Sequence, residues 1–357
     1  MFILKKSLFF HGKSTKKYHI PRFITTFVGV KNVMDRLEQI KLPINAEFEV
    51  FKQLFDDALQ SSNPLISEVM AYIKQRRGKM MRPILTLLMA KCFGGVKDAT
   101  HHAAISLELL HTASLVHDDV VDESDQRRGR PSVNALYDNK VAVLVGDYLL
   151  ATSLKHSALT GHLSLVELIS SLGQNLSEGE VVQLTNTSAT DFSEDVYFNV
   201  IRKKTAALFA AAARAGVLST DSSDDMAGNA YLFGEMLGIA FQIKDDIFDY
   251  STSQEIGKPT GNDMREGKLT LPALYVLNTV QDESMIQLAL KIRSLEANND
   301  EIASFIEWVK ANGGIEYASQ VMGQYRDKAL SFISDSMPED IRKALEKYVD
   351  FVIERKK

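Results

Sequence analysis

The stretch ELLHTASLVHDDVVD, residues 108–122, places apolar residues at helical spacing directly ahead of three acidic ones. The face of this helix is marked, three and four residues apart, by Leu107, Leu110, Ser114 and Leu115. The closing DDVVD, residues 118–122, recurs as DDIFD at residues 245–249, again after an apolar helical stretch. Both acidic clusters are therefore expected where a helix ends.

The long middle of the chain predicts the fold class. No proline occurs between residues 132 and 258, a run rich in Ala, Leu, Val and Glu. Proline is the strongest helix breaker, so its absence over that length favours stacked long helices. Asp191 followed by Glu194 resembles a capping pair that starts one of them. No extended alternating strand pattern is present, and the chain is predicted to be all-α.

Composition excludes several classes of protein. The net charge of -5 argues against a nucleic-acid binder, which normally carries a concentrated basic face. The single Cys92 excludes an internal disulfide and a thiolate metal cluster, and it suits a reducing compartment such as the cytoplasm. No stretch approaches 18 uninterrupted apolar residues, so no transmembrane helix is predicted.

The N-terminal segment differs from the rest of the chain. Residues 1–33 contain seven Lys or Arg and no acidic residue. One interpretation is a mitochondrial presequence, although such segments are usually Arg-rich and only Arg22 is present here. The other is that Met34 is the working start and the extension is dispensable. In either case, residues 34–357 are expected to form the functional domain.

The two acidic clusters have the donor chemistry of a magnesium site. Asp118 and Asp122 lie one helical turn apart on one face, as do Asp245 and Asp249. Carboxylates at a helix C-terminus need cations, because the helix dipole disfavours more negative charge there. Oxygen ligands without a nearby His-Cys set indicate Mg²⁺, which bridges carboxylates to substrate phosphates. The alternative is two acidic surface ends neutralised by neighbouring basic side chains.

Basic segments bracket both clusters. Lys and Arg side chains there would bind phosphate, Arg as a bidentate fork and Lys as a point charge. Any one such segment is more often a solvated face, but five around two metal-type clusters favour diphosphate binding. They are GKMMRP at 78–83, RRGR at 127–130, KKT at 203–205, GKPTGND at 257–263 and EGKLTLP at 266–272.

With these motifs the chain resembles the trans-isoprenyl diphosphate synthases, within their long-chain polyprenyl branch, over residues 78–272. The resemblance implies a single large helical bundle around a central hydrophobic cavity. It also implies extension of an allylic diphosphate by isopentenyl diphosphate through ionisation, condensation and elimination, with two to three Mg²⁺ ions. A homodimer and transient membrane contact during release of the lipophilic product are implied too, as is a quinone side chain as the destination.

The resemblance also implies roles for individual residues. The catalytic set would be Asp118, Asp119, Asp122, Lys204, Asp245 and Asp246, and the metal ligands Asp118, Asp122, Asp245 and Asp249. Isopentenyl diphosphate would be held by Lys79, Arg82, His111 and Arg128. The allylic substrate would contact Arg127, Lys204, Thr205 and Gln242, with Lys258 and Lys268 adding charge near the leaving group.

Product length is expected to depend on Ala113 and Ser114, about one helical turn before Asp118. In this family that turn floors the tunnel, and small residues leave room for a chain of six or more isoprene units. Three alternatives stay open: a farnesyl or geranylgeranyl synthase, a non-catalytic subunit of a heteromeric synthase, and a class I terpene cyclase. A plain helical interaction protein would leave the motif set unexplained.

Overall fold

The computed structural model describes residues 35–75, 78–127, 129–186, 192–220, 222–250 and 260–354. Helices dominate these residues, which confirms the all-α prediction. Their only sheet is a two-residue antiparallel ladder between β1 (Gln126–Arg127) and β2 (Arg130–Pro131). Residues Asp35–Lys357 cluster as one compact unit. The basic extension, residues 1–33, lies outside the described residues.

The helices fall into two sequential groups. The first is α1 (Arg36–Lys41), α2 (Asn45–Ala58), α3 (Pro64–Lys74), α4 (Met81–Cys92), α5 (Asp98–Val121), α6 (Val133–Tyr137), α7 (Asn139–Leu159) and α8 (Leu163–Asn186). The second is α9 (Glu194–Ile201), α10 (Ala207–Leu218), α11 (Asp224–Asp249), α12 (Asn262–Arg265), α13 (Leu271–Val280), α14 (Glu283–Arg293), α15 (Asn299–Ala311), α16 (Gly314–Leu330) and α17 (Glu339–Glu354). A 3-10 turn, Leu42–Ile44, joins α1 to α2.

Small residues let the central helices approach closely. Between α5 and α7, Ser106 Oγ donates to the Ser153 carbonyl and Ser153 Oγ donates to the Ser106 carbonyl, both at 2.8 Å. Gly216 of α10 lies against α4, where a Cβ would come within 2.4 Å of the Thr86 carbonyl oxygen. Gly234 of α11 lies equally close to the Phe209 carbonyl of α10. Larger side chains at these contacts would separate the helices and open the core.

The central helix α10 shows why the bundle holds together. Every residue of Ala207–Leu218 is buried except Arg214. A helix that is apolar on all sides is stable only inside a bundle. It is flanked by α4, α5, α8 and α11, so the elements that carry both acidic clusters and the basic KKT segment meet around it.

Both acidic clusters lie at helix ends, as predicted. α5 ends at Val121 with Asp122 as its C-cap, and α11 ends at Asp249. The KKT segment forms a π-helical turn, Arg202–Ala206, between α9 and α10. One local prediction was wrong. The N-cap of α9 is Ser193, whose hydroxyl accepts from the Val196 N–H at 3.4 Å, and not Asp191, which lies outside the described residues.

Candidate active site

A cavity of about 1120 Å³ lies among α4, α5, α7, α8, α10 and α11. Its polar lining includes six predicted site residues: Arg82, His111, Asp118, Lys204, Thr205 and Gln242. Its apolar and small lining includes Leu110, Ala113, Leu150, Leu154, Ile169, Gly173 and Leu208. Leu110 precedes Asp118 by two turns, which places it ~12 Å along the helix axis. The cavity is therefore deep, with charged groups and hydrocarbon surface in one continuous space.

The first acidic cluster divides between the cavity and the protein interior. Asp118 lines the cavity, whereas Asp119 is only 2% exposed and accepts a hydrogen bond from Arg127 Nε at 2.7 Å. Adjacent residues on a helix point about 100° apart, so the two carboxylates cannot both face the cavity. Asp122 is partly exposed and lies 3.8 Å from Lys268 Nζ. Asp119 and Arg127 thus fix the loop after α5 beside the cavity.

Electrostatics at the cavity lining favour a bound cation. Burial, and after it the Glu180 carboxylate, raise the pKa of Asp118 to about 6, against the opposing effects of Lys204 and Arg127. Glu180 also lines the cavity and forms an ion pair with Lys204, which in addition donates to Gln183 Oε1 at 3.0 Å. The Asp118 and Glu180 carboxylates therefore both face the cavity, and Lys204 interacts electrostatically with both of them.

The π-helical turn places Lys204 and Thr205 beside the second cluster. Thr205 Oγ1 donates to Gln242 Oε1 at 2.7 Å, and Gln242 Nε2 donates to Asp246 Oδ1 at 2.8 Å. The Tyr197 hydroxyl donates to the other oxygen of Asp246 at 2.5 Å. π-helical turns are frequent at functional sites because they redirect side chains without ending the helix. One chain of hydrogen bonds thus connects the turn, which leads into α10, to α11 and α9.

The second acidic cluster also has a buried middle residue. Asp246 is 2% exposed, and burial raises its pKa to about 7. The two Asp249 oxygens accept the backbone N–H groups of Asn262 and Asp263, at 2.9 and 3.1 Å. Burial raises the pKa of Asp249 as well, against those two hydrogen bonds. Asp249 therefore holds the start of α12, and the lone pairs left on its carboxylate are what a cation would use.

Lys268 lies beside the first cluster. Its ammonium lies 3.8 Å from Asp122 and 2.6 Å from Glu266. Burial alone would lower the pKa of Lys268, but Glu266 and Asp122 raise it above its ordinary value. A lysine in this setting keeps its charge, as a group that neutralises a leaving diphosphate needs to do.

The predicted clamp for the second substrate begins at α4. Arg82 and His111 line the cavity, while Lys79 lies just ahead of α4 with its ammonium 5.1 Å from the centre of the Phe351 ring. The Arg82 guanidinium lies 5.1 Å from the Phe209 ring. Arg128 and Lys258 lie outside the described residues. His117 packs over Gly146, contacts the Val143 carbonyl at 3.2 Å and also lines the cavity.

Ala113 and Ser114 both line the cavity, as expected for residues that influence product length. Ala113 is 2% exposed, and Ser114 Oγ donates to the His111 carbonyl at 2.9 Å, which leaves its hydroxyl satisfied within the helix. One turn further, Leu110 lies opposite Gly173 of α8, where a Cβ would be 3.9 Å from its Cδ1.

Sequence reasoning missed four residues of this site: Glu180, Gln183, Tyr197 and Asp263. The EGEVVQ run at 178–183 carried a signal, because Glu180 and Gln183 lie at i and i+3 on one helix face. Tyr197 carried none, since nothing local connects it to Asp246. Within the described residues, no three His, Cys, Asp or Glu side chains converge so as to hold a metal ion by themselves. No helix there is long and apolar enough to cross a membrane.

The chain is similar to several known proteins. The sequence profile of the polyprenyl synthetase family matches residues 63–309. The octaprenyl diphosphate synthase of Escherichia coli is 36% identical over 77% of this chain and 85% of its own. Component 2 of the heptaprenyl diphosphate synthase of Geobacillus stearothermophilus is 33% identical over 83% and 91%.

Among solved structures, a geranylgeranyl pyrophosphate synthase from Bacteroides thetaiotaomicron is 52% identical, with a TM-score of 0.80. The similarity covers 90% of this chain and 100% of that one. The profile match spans both acidic clusters and the basic segments that line the cavity. The chain belongs to the polyprenyl synthetase family and is a prenyltransferase.

Proposed function

We propose that the protein is an all-trans polyprenyl diphosphate synthase that extends an allylic diphosphate with isopentenyl diphosphate to six or more isoprene units. One observation carries the proposal: a single cavity joins Asp118, Lys204 and Gln242 to a long apolar lining. The charged part suits two diphosphates, and the apolar part suits a growing hydrocarbon chain.

The cavity is large enough for a long product. At 1120 Å³ it exceeds the ~300–1,000 Å³ usual for small-molecule pockets. Taking about 30 Å³ per heavy atom, the share of a molecule in liquid water, a 30-carbon chain needs roughly 900 Å³. The geranylgeranyl synthase at 52% identity nevertheless supports a four-unit product as the second candidate.

Mg²⁺ fits the residues present. The donors around the cavity are carboxylate oxygens, which this ion prefers, and Asp118, Asp122 and Asp245 would hold it, with Asp249 completing the set. No three of them converge without a ligand, so diphosphate oxygens would supply the remaining positions. Burial raises the pKa of Asp118, and a cation beside the carboxylate would lower that pKa again. Bound there, Mg²⁺ would neutralise charge on the departing diphosphate.

The residues of the chain would act by positioning and by charge. Negative charge grows as the allylic C1–O bond breaks and its electron pair leaves with diphosphate. Lys204, Lys268 and Arg127 would stabilise that charge. Such preorganised charge is usually the largest contribution to catalysis. Lys79, Arg82 and His111 would hold isopentenyl diphosphate so that its double bond attacks C1. A proton then leaves the adjacent carbon, with the released diphosphate as acceptor.

A homodimer is part of the proposal. α7 and α8 expose several large apolar side chains outside the cavity: Val143, Leu144, Leu159 and Leu163. Exposed apolar surface is typical of protein–protein contacts where it forms a contiguous patch. The similarity to component 2 of a heptaprenyl synthase makes a second, different subunit the competing arrangement.

The deciding experiment uses the purified full chain alone. It is incubated with farnesyl diphosphate, labelled isopentenyl diphosphate and Mg²⁺, and the dephosphorylated products are analysed by mass spectrometry. Linear products of 30 or more carbons support the proposal. Termination at 20 carbons supports the geranylgeranyl alternative, a cyclised hydrocarbon supports a cyclase, and no extension supports a subunit that needs its partner.

A further inference from the structure

The turn that carries the predicted clamp residues is strained. Met80 lies between Lys79 and the start of α4 and has φ +51° and ψ +41°, the left-handed region that side chains other than Gly and Asn rarely occupy. Its side chain is buried, at 8% exposure. A non-glycine residue keeps such a backbone only when its surroundings over-determine it. Something beside the turn must therefore hold it.

The carboxyl-terminal helix α17 supplies that contact. Tyr348 is fully buried, and its hydroxyl donates to the Met81 carbonyl at 2.7 Å, across most of the length of the chain. One turn later, the Phe351 ring lies 5.1 Å from the Lys79 ammonium. The same helix thus fixes the backbone just after the strained residue and accommodates the charged group just before it.

Arg82 belongs to the same cluster. Burial raises the pKa of Tyr348, while the Arg82 charge lowers it and Glu108 raises it, which places both charged groups close to the hydroxyl. Lys79 and Arg82 lie three residues apart on this one turn, so a shift of the turn would displace both side chains. α17 itself is fixed elsewhere, through the Arg36–Glu354 ion pair to α1.

We propose that Tyr348 is a positioning residue for isopentenyl diphosphate, which holds the strained Met80 turn so that Lys79 and Arg82 present their charges to one diphosphate. The inference rests on the proposed function, which assigns that diphosphate to these two residues. Tyr348 touches no substrate, and its effect runs through the turn.

The test is Tyr348→Phe, which removes the hydroxyl and keeps the ring. The KM for isopentenyl diphosphate should rise about fivefold, the factor that corresponds to ~1 kcal/mol for one neutral hydrogen bond. The KM for the allylic primer should stay unchanged. The matched control is Tyr148→Phe, which likewise removes a hydroxyl bonded to a backbone carbonyl, that of Gln60 at 3.2 Å, away from the clamp. It should change neither KM.

A second readout does not depend on turnover. Amide hydrogen exchange in the peptide 78–88 should be faster in Tyr348→Phe than in wild type, and unchanged in Tyr148→Phe. In a Lys79→Ala background the loss of the hydroxyl should raise the isopentenyl KM less than fivefold, because the two residues act through one turn. An unchanged isopentenyl KM, or an equal rise for both substrates, overturns the inference. If the wild-type protein transfers no prenyl group, the proposed function is refuted instead. In that case, unaltered hydrogen exchange in Tyr348→Phe refutes the positioning role of Tyr348 independently.

Discussion

Replacing Ala113 with phenylalanine should shorten the product. Ala113 lines the cavity from α5 and is buried there, five residues before Asp118. At 1.5 Å per residue this is ~7.5 Å along the helix from the Asp118 carboxylate that lines the cavity. An extended isoprene unit spans about 5 Å, from four backbone bonds of ~1.5 Å seen in projection. The new ring would therefore meet the chain between its first and second units beyond the metal site.

The magnitude follows from volume and from depth together. Phenylalanine adds six heavy atoms, or roughly 180 Å³ at about 30 Å³ each, a sixth of the 1120 Å³ available. That loss alone would leave room for a long chain, so depth decides the outcome. A block ~7.5 Å from Asp118 leaves room for about two units, so elongation should end at roughly 10–15 carbons, in place of 30 or more.

The assay is chromatography and mass analysis of the dephosphorylated products, with farnesyl and geranyl diphosphate as separate primers. The matched control is Ala71→Phe, the same substitution at an exposed position of α3 outside the cavity. It should leave the product unchanged. If Ala113→Phe gives the wild-type distribution while remaining folded and active, the growing chain does not pass this residue, and the assignment of the cavity to the hydrocarbon is wrong.

Without Mg²⁺, Asp118→Asn should raise the melting temperature at pH 8 but not at pH 4. The folded-state pKa of about 6 exceeds the unfolded ~3.9, so ionisation destabilises the fold as pH rises between these values, by up to ~3 kcal/mol; equal shifts at both pH values would contradict this. Glu180→Gln should raise the allylic KM about tenfold and leave the isopentenyl KM unchanged in steady-state kinetics, because Lys204 loses its charged partner. Gly216→Ala should cost ~3 kcal/mol in urea unfolding, since its Cβ would meet a carbonyl of α4 at 2.4 Å, whereas Gly228→Ala, with open space, should stabilise slightly.

The features predicted correctly from sequence are those fixed by local spacing. Apolar residues three and four apart predicted α5, and His111 and Asp118, seven residues apart within it, both line the cavity. The small residues Ala113 and Ser114 were expected beside the same space and lie there. In each case the relation holds within one helix, where 3.6 residues per turn determines what is adjacent.

The features that sequence did not predict depend on how distant helices approach. Glu180 meets Lys204 only because α8 packs beside the π-helical turn, and a Cβ at Gly179 would lie 2.9 Å from the Lys204 side chain. Tyr197 reaches Asp246 from a different helix in the same way. Such pairs arise from tertiary packing, which no local pattern encodes. The π-helical turn was likewise invisible, because its sequence reads as ordinary helix.

The two acidic clusters share a design that their spacing conceals. In each cluster the middle aspartate is 2% exposed and accepts hydrogen bonds inside the protein. Asp119 accepts from Arg127, and Asp246 accepts from Tyr197 and Gln242. The inward partners differ, since Arg127 is a cation and the partners of Asp246 are neutral. A cationic partner favours the charged carboxylate, whereas neutral donors leave burial to raise the pKa of Asp246 to about 7.

This difference assigns different work to the clusters. In the first, Asp119 pairs with Arg127 while Asp118 lines the cavity, where burial and Glu180 make the metal-free carboxylate unfavourable. The second uses its buried residue to tie α9 to α11. A cation that bound the ionised folded state would add RT ln(1 + [L]/Kd) to its stability. The first cluster should therefore dominate the stabilisation by Mg²⁺ and diphosphate, and the second the geometry in which they are held.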